Sequence, residues 1–339
     1  MESTSPSRLT GRALASAIAR EAVTESARRG ADSNDLHIHA DSMRSSINLR
    51  YIRSPGPIEP FEWDLHDLWH TYYQASMNIS AQHPAQDRLA FQIVQLQQQG
   101  ALRRPGSTGG GEEVAITADG RLWDDLPFLA QDMMRFWVSG YPTMSASQRL
   151  NFAQFLAKLA SAGLARDRLC DIGLYILRDT LETNRPLGSL GAQAEENTER
   201  KADEMCIAAL LPCANAWLLN ASRKLIELSD GNWNNCDPPV SEPGELLRGD
   251  LASHMPALGF NPQRWLYWLR RLQELTHEAS AVGKDDLAAF AKRVADNMVL
   301  TLEETQSPMN QLLSQDGHNV GPITYFTAQN SGSSGLTLL

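Results

Sequence analysis

Apolar residues along this chain recur three or four positions apart, the spacing of a helix face, and strand-like alternation is nearly absent. Between Trp63 and Met77, the residues Leu65, Leu68, Trp69, Tyr72 and Tyr73 fall at i, i+3, i+4, i+7 and i+8, one stripe along an amphipathic helix. Pro84 then sits where a second helix begins, with Leu89, Ile93 and Leu96 as its stripe and Gly100 as its stop. These two are expected to pair as a hairpin. A third helix is predicted over about 125–138, through Leu126, Leu129, Met133, Met134 and Trp137. Ser145 with Gln148 forms a capping box for a fourth, which carries Phe152, Phe155, Leu156 and Leu159 to a Gly163 stop. A fifth spans about 166–183 through Leu169, Ile172, Ile176 and Leu177.

Beyond a linker at 184–192 lies the longest helical run, about 195–229. Pro212 should kink or break it, because proline removes a backbone donor and crowds the preceding turn. After a Pro/Gly/Asn-rich segment at 230–244, Asn261 followed by Pro262 caps and starts a helix bearing Trp265, Trp268, Leu269, Leu272 and Leu275. The last helix, about 285–304, shows Leu287, Phe290, Val294 and Met298. Residues 101–122 read as a long Gly-rich loop and 307–339 as a disordered tail. The expected fold is all-α, about eight to ten helices over residues 61–306, in one domain or two closely packed lobes joined near 184–194. Residues 1–60 are expected as an N-terminal extension, partly helical or disordered, and both ends are expected to lie outside the fold.

Charge sharpens this division. The 339 residues carry 30 Lys and Arg against 40 Asp and Glu, a net charge of −10 that belongs to the 61–306 body. Such an acidic body excludes a general nucleic-acid binder, whose phosphate affinity rests on clustered cations. Only five of the basic residues are Lys, so there is little material for Schiff-base or cofactor-anchoring lysine chemistry, and no cofactor is expected. The four cysteines, Cys170, Cys206, Cys213 and Cys236, form no CxxC, and they read as reduced thiols of a cytoplasmic protein. No run of about 18 apolar residues occurs, so no membrane span is expected. Residues 8–20 have the acid-free, Arg-bearing composition of a transit peptide, but Glu21 and Glu25 break it, which leaves a short N-terminal helix as the reading.

Several strings invite a chemical reading. His66 and His70 stand at i and i+4 on one helix face with Asp67 after the first, the spacing of a zinc-binding HExxH motif. No third ligand is specified, so no metal is expected, and the pair is kept as a weak candidate only. Asp124 and Asp125 open a DDxxD-like string in which Phe128 takes the place of the last acid, and helix capping explains the two carboxylates more cheaply than Mg²⁺. The GSTGGG run at 106–111 lacks the Lys-Ser/Thr ending of a phosphate loop and is followed by Glu112 and Glu113, so it reads as linker. Eight tryptophans are present, most of them on apolar stripes. Core packing is the default for these, and an apolar pocket lined by Trp69, Trp137, Trp265 and Trp268 is the functional alternative.

Taken in order, Leu68-Trp69, the string from His83 to Leu89 (HPAQDRL), Leu122 to Pro127 (LWDDLP), Asn151 to Phe155 (NFAQF) with Leu159, and Gly259 to Trp268 (GFNPQRWLYW) with Arg271-Leu272 form a pattern. In this the chain resembles, from about Phe61 to Glu304, a fungal domain-of-unknown-function family of all-helical, Trp-rich proteins often encoded near specialised-metabolite biosynthesis genes. The resemblance implies a fungal intracellular protein with an accessory role in such a pathway, and it supplies no catalytic residues. Three function classes follow. The first is a non-catalytic accessory or interaction protein, with other proteins or an apolar small molecule as partner. The second is a cyclase- or isomerase-like small-molecule enzyme with the Trp-lined pocket. The third is a regulatory protein without direct DNA binding.

Overall fold

The structure is a computed structural model, and it describes residues 6–29, 33–53, 56, 58–106, 111–191, 200–250 and 258–315. The tip of the GSTGGG run (107–110), residues 192–199 between the linker and the long helical run, and the tail beyond 315 lie outside the described residues.

Among the described residues the chain forms fourteen α-helices and two small hairpins. Helices α1 (Pro6–Arg28), α2 (Ser33–Arg53), α3 (Glu62–Asn78) and α4 (Pro84–Gln98) come first. Two antiparallel pairs follow, β1 (Arg103–Pro105) with β2 (Glu112–Val114) and β3 (Ile116–Thr117) with β4 (Gly120–Arg121). Then come α5 (Leu129–Gly140), α6 (Ala146–Ser161), α7 (Cys170–Leu181), α8 (Ile207–Asn220) and α9 (Ser222–Asp230). The short α10 (Pro238–Ser241) and α11 (Glu245–Asp250) lead to α12 (Pro262–Ala281), α13 (Asp285–Thr305) and α14 (Met309–Gln315).

Helix α3 lies at the centre of the N-terminal half, packed by α1, α2, α5 and α6, and its stripe residues Leu65, Leu68 and Trp69 are wholly buried. In the C-terminal half α12 and α13 pack along one another and against α9, while α6, α7 and α8 join the two halves. The buried side chains make one continuous core, from Leu65 on α3 to Leu302 on α13.

The N-terminal segment is part of this packing rather than outside it. Helix α2 turns Leu36, Ala40, Ile47 and Tyr51 into the core on one face. Helix α1 docks mostly through polar contacts: Arg12 pairs with Asp64 at 3.1 Å, Ser16 donates to Asp67 at 2.5 Å, and Arg20 pairs with Asp67 at 2.6 Å. An interface built from ion pairs leaves no apolar stripe, which is why periodicity did not reveal it.

Punctuation residues decide where several elements stop. The Ser145–Gln148 capping box forms in both directions, and the Asn261 side chain accepts the Arg264 N–H at 2.8 Å. Pro212, in contrast, sits inside the continuous α8, and the long run divides instead at the extended Cys206 and at Ala221. Within residues 101–122, expected as loop, 103–105 pair with 112–114 and 116–117 with 120–121, and Ala118-Asp119 makes the second turn. Gly120 has φ +127°, and a Cβ there would come within 2.8 Å of the Asp125 carboxylate that folds over it.

Candidate functional site

The string LWDDLPF (122–128) is the foundation of the site. Trp123, Leu126 and Phe128 all adopt left-handed backbone, with φ of 70°, 48° and 65°. For bulky residues this costs about 1–2 kcal/mol each and persists only where the surroundings over-determine it. Here they do. Trp123 Nε1 donates to Asn48 at 2.7 Å, Trp69 Nε1 donates to the Pro127 carbonyl at 2.8 Å, and the Phe128 N–H donates to Asp119 at 2.6 Å. Asp119 is itself gripped by two Arg168 nitrogens, at 2.9 and 3.2 Å.

The neighbouring carboxylates are spent in the same clamp. Asp124 pairs with Arg121 at 2.6 Å, and Asp125 pairs with Arg166 at 2.5 Å while accepting the Arg121 N–H. These contacts, with the Arg121 N–H hydrogen bond prominent among them, hold the Asp125 carboxyl below its ordinary value against the opposing effect of burial. Arg166 belongs to a second left-handed stretch, Ala165 to Asp167 (φ 52° to 64°). Helix α5 therefore starts at Leu129 rather than near 125, and Asp119, not Asp124 or Asp125, supplies the carboxylate at its start.

The clamp presents Phe128 to α3, where its ring lies 4.6 Å from the His66 ring. His66 Nδ1–H donates to Asp132 at 2.6 Å; Asp132, only 3% exposed, also accepts from Arg135 at 2.8 Å. A carboxylate on Nδ1 fixes the orientation of the ring and places a proton on that nitrogen. Because the His66 side chain is 27% exposed, that arrangement has the form of a His–Asp base.

One turn along α3, His70 has the opposite character. It is buried edge-on against Tyr73 and Phe136, whose rings stack at 4.6 Å. Gln74 donates to its Nε2 at 3.4 Å, and its Nδ1 has no partner among the described residues. Burial pushes its pKa down to about 4, with Arg20 adding to the effect. His66 and His70 are thus an oriented half-exposed imidazole and a neutral core imidazole. Among the described residues no group of three or more His, Cys, Asp or Glu is arranged to hold a metal ion.

The four candidate pocket tryptophans are all buried. Trp137 on α5 stacks on Tyr141 at 5.7 Å and meets Phe152, while Trp69 on α3 meets Tyr72. Trp265 and Trp268 meet each other on α12, and Trp268 meets Phe260. Trp268 Nε1 donates to Glu182, which forms a wholly buried bidentate pair with Arg264. Asp132, Arg135, Glu182 and Arg264 were not singled out by motif. A signal existed nonetheless: Arg264 shares the helical stripe of Trp268 and Leu272, and Asp132 that of Leu129, so each charged residue occupies a core-facing position.

A family described as "Protein of unknown function (DUF3632)" matches residues 69–272. The "Oxopyrrolidines biosynthesis cluster protein G" of Penicillium oxalicum is 36% identical over 308 residues, covering 88% of this chain and 85% of its own. No solved structure matches the chain.

Proposed function

Because this chain belongs to the DUF3632 family of unknown function, we propose that it is an accessory protein of specialised-metabolite biosynthesis that acts by binding rather than by catalysis. The observation that carries the pathway assignment is the 36% identity, over nearly the whole chain, to a fungal biosynthesis-cluster protein. Binding is favoured over catalysis by the use made of the aromatic side chains. Trp69, Trp137, Trp265 and Trp268 are packed into the core, where the N–H donors of Trp69 and Trp268 meet protein acceptors and that of Trp265 has no partner among the described residues. Large, amphipathic rings packed into a core in this way support a scaffold.

Deleting the gene in its host and profiling metabolites tests the reading. An accessory role predicts a lowered yield of the end product with no new intermediate accumulating. An unchanged profile while the adjacent genes are expressed contradicts the pathway assignment, and accumulation of one stoichiometric intermediate contradicts the non-catalytic part.

A second reading rests on a single observation, the 2.6 Å His66–Asp132 hydrogen bond on a half-exposed ring. It makes the α3–α5 seam the seat of a general base in an enzyme acting on a small molecule.

A further inference from the structure

Helix α4 buries one face, Leu89, Ile93 and Leu96, in the core. The ridge beside it carries Arg88, Phe91, Gln92 and Gln95 at i, i+3, i+4 and i+7, and together with His37, Ile38 and Asp41 of α2 it walls a surface groove of about 470 Å³. That is within the roughly 300–1,000 Å³ typical of small-molecule sites. Two features have no use inside the fold. Phe91 and Ile38 stand 55% and 59% exposed on facing walls, apolar area that packing does not require. Arg88, also exposed, has no carboxylate partner among the described residues, whereas Asp41 in the same groove is held by Arg44 at 2.7 Å. The other polar groups of the lining are partly engaged: His37 Nε2 lies 3.3 Å from the Ala85 carbonyl, and Gln92 accepts from Tyr72 at 3.4 Å.

We propose that this α2–α4 groove binds a small amphipathic carboxylic acid, with its carboxylate on Arg88 and its apolar body between Phe91 and Ile38. A guanidinium pairs with a carboxylate through two parallel hydrogen bonds, the strongest contact this lining offers. One cation beside an acid, Asp41, favours a monoanion over a phosphate dianion, and a neutral ligand would leave Arg88 unpaired. The site lies on the α2–α4 side of the body and involves neither His66 nor the buried tryptophans. The proposal goes beyond the pathway reading and does not depend on it.

Titration calorimetry of the full chain at pH 7.5 with decanoate and with decanol tests it. Decanoate is expected to bind at least tenfold more tightly than decanol. Arg88→Gln should weaken decanoate about tenfold, to the decanol level, and leave decanol unchanged, while Phe91→Ala should weaken both several-fold. Both residues are exposed, so the variants keep the fold, which circular dichroism verifies. Equal affinities for decanoate and decanol would overturn the proposal, as would decanoate binding that is indifferent to Arg88→Gln, or no binding at millimolar ligand. None of these outcomes bears on the metabolite profile of the deletion strain, so the two readings fail separately.

Discussion

Replacing Arg264 by methionine is expected to destabilise the fold by about 3–5 kcal/mol, because it strands a buried charge. Arg264 and Glu182 are both fully buried, with guanidinium–carboxylate contacts of 2.6 and 3.0 Å. Glu182 also accepts from the Gly244 N–H and Trp268 Nε1, each at 2.7 Å, and Arg264 donates to the carbonyls of Ser241, Glu242 and Gly259 at 2.8 to 3.1 Å. One ion pair thus ties the end of α7, the start of α12, residues 241–244 and Gly259 together. Gly244 passes so close that a Cβ would lie 2.5 Å from the Glu182 carbonyl, so a side chain there would push the chain away from the pair. Methionine matches the volume but not the donors, and five hydrogen bonds lose their partner. Urea melts should show the loss as a lower midpoint with an unchanged slope. Adding Glu182→Gln to the variant should restore part of it, since the uncompensated charge is then gone. A loss below about 1 kcal/mol for Arg264→Met would contradict the assignment of this pair as the tie.

The second large effect is a pair of opposed pH dependences. His70 is held neutral, with a pKa of about 4 against the ordinary 6.5, chiefly by burial. Its folded value lies below its unfolded one, so its contribution is present above pH 6.5 and is lost as pH falls towards 4, on the order of 3 kcal/mol in all. Asp171 behaves in reverse. Burial, with Asp237 adding and Arg168 opposing, pushes its pKa up to about 7 from 3.8, and its Oδ1 has no partner among the described residues. Its contribution is present below pH 3.8 and is lost as pH rises through 7. Between pH 4 and 6.5 the two slopes oppose one another. Relative to wild type, His70→Leu should therefore lose stability as pH rises from 4 to 7, and Asp171→Asn should gain it, each by a few kcal/mol across the window. Denaturant melts at pH 4.5, 5.5, 6.5 and 7.5 separate the cases. A His70→Leu profile parallel to wild type would show that the His70 ring is not held neutral by the fold.

How much of this was legible in the sequence depends on the kind of signal. Apolar stripes with clear punctuation were read correctly: Leu65, Leu68, Trp69 and Tyr72 are buried, α4 begins at Pro84, and α12 begins at Pro262 behind its Asn261 cap. Structure made by polar pairing was not read. Helix α1 docks through Arg12, Ser16 and Arg20, and the Asp119–Arg168 and Asp125–Arg166 pairs bring together residues 41 to 49 positions apart, which no local period records. The left-handed backbone at Trp123, Leu126 and Phe128 was invisible for a related reason. Such conformations are normally announced by Gly or Asn, and here tertiary contacts impose them on bulky residues. Of the site, the sequence located His66 but not its partner. Asp132 shares the core-facing stripe of Leu129, but no local period records its pairing with an imidazole 66 positions away.

The fold and the function meet at His66. If the protein works by binding, the His66–Asp132 pair is structural, and the imidazole is dispensable so long as the chain folds. The most direct test is complementation of the deletion strain with His66→Ala, with protein abundance measured alongside the metabolites. The binding account predicts that His66→Ala restores the end product to the level given by the wild-type gene at equal abundance. Loss of product with normal abundance of the variant would contradict it, and would make the oriented imidazole the working part of an enzyme.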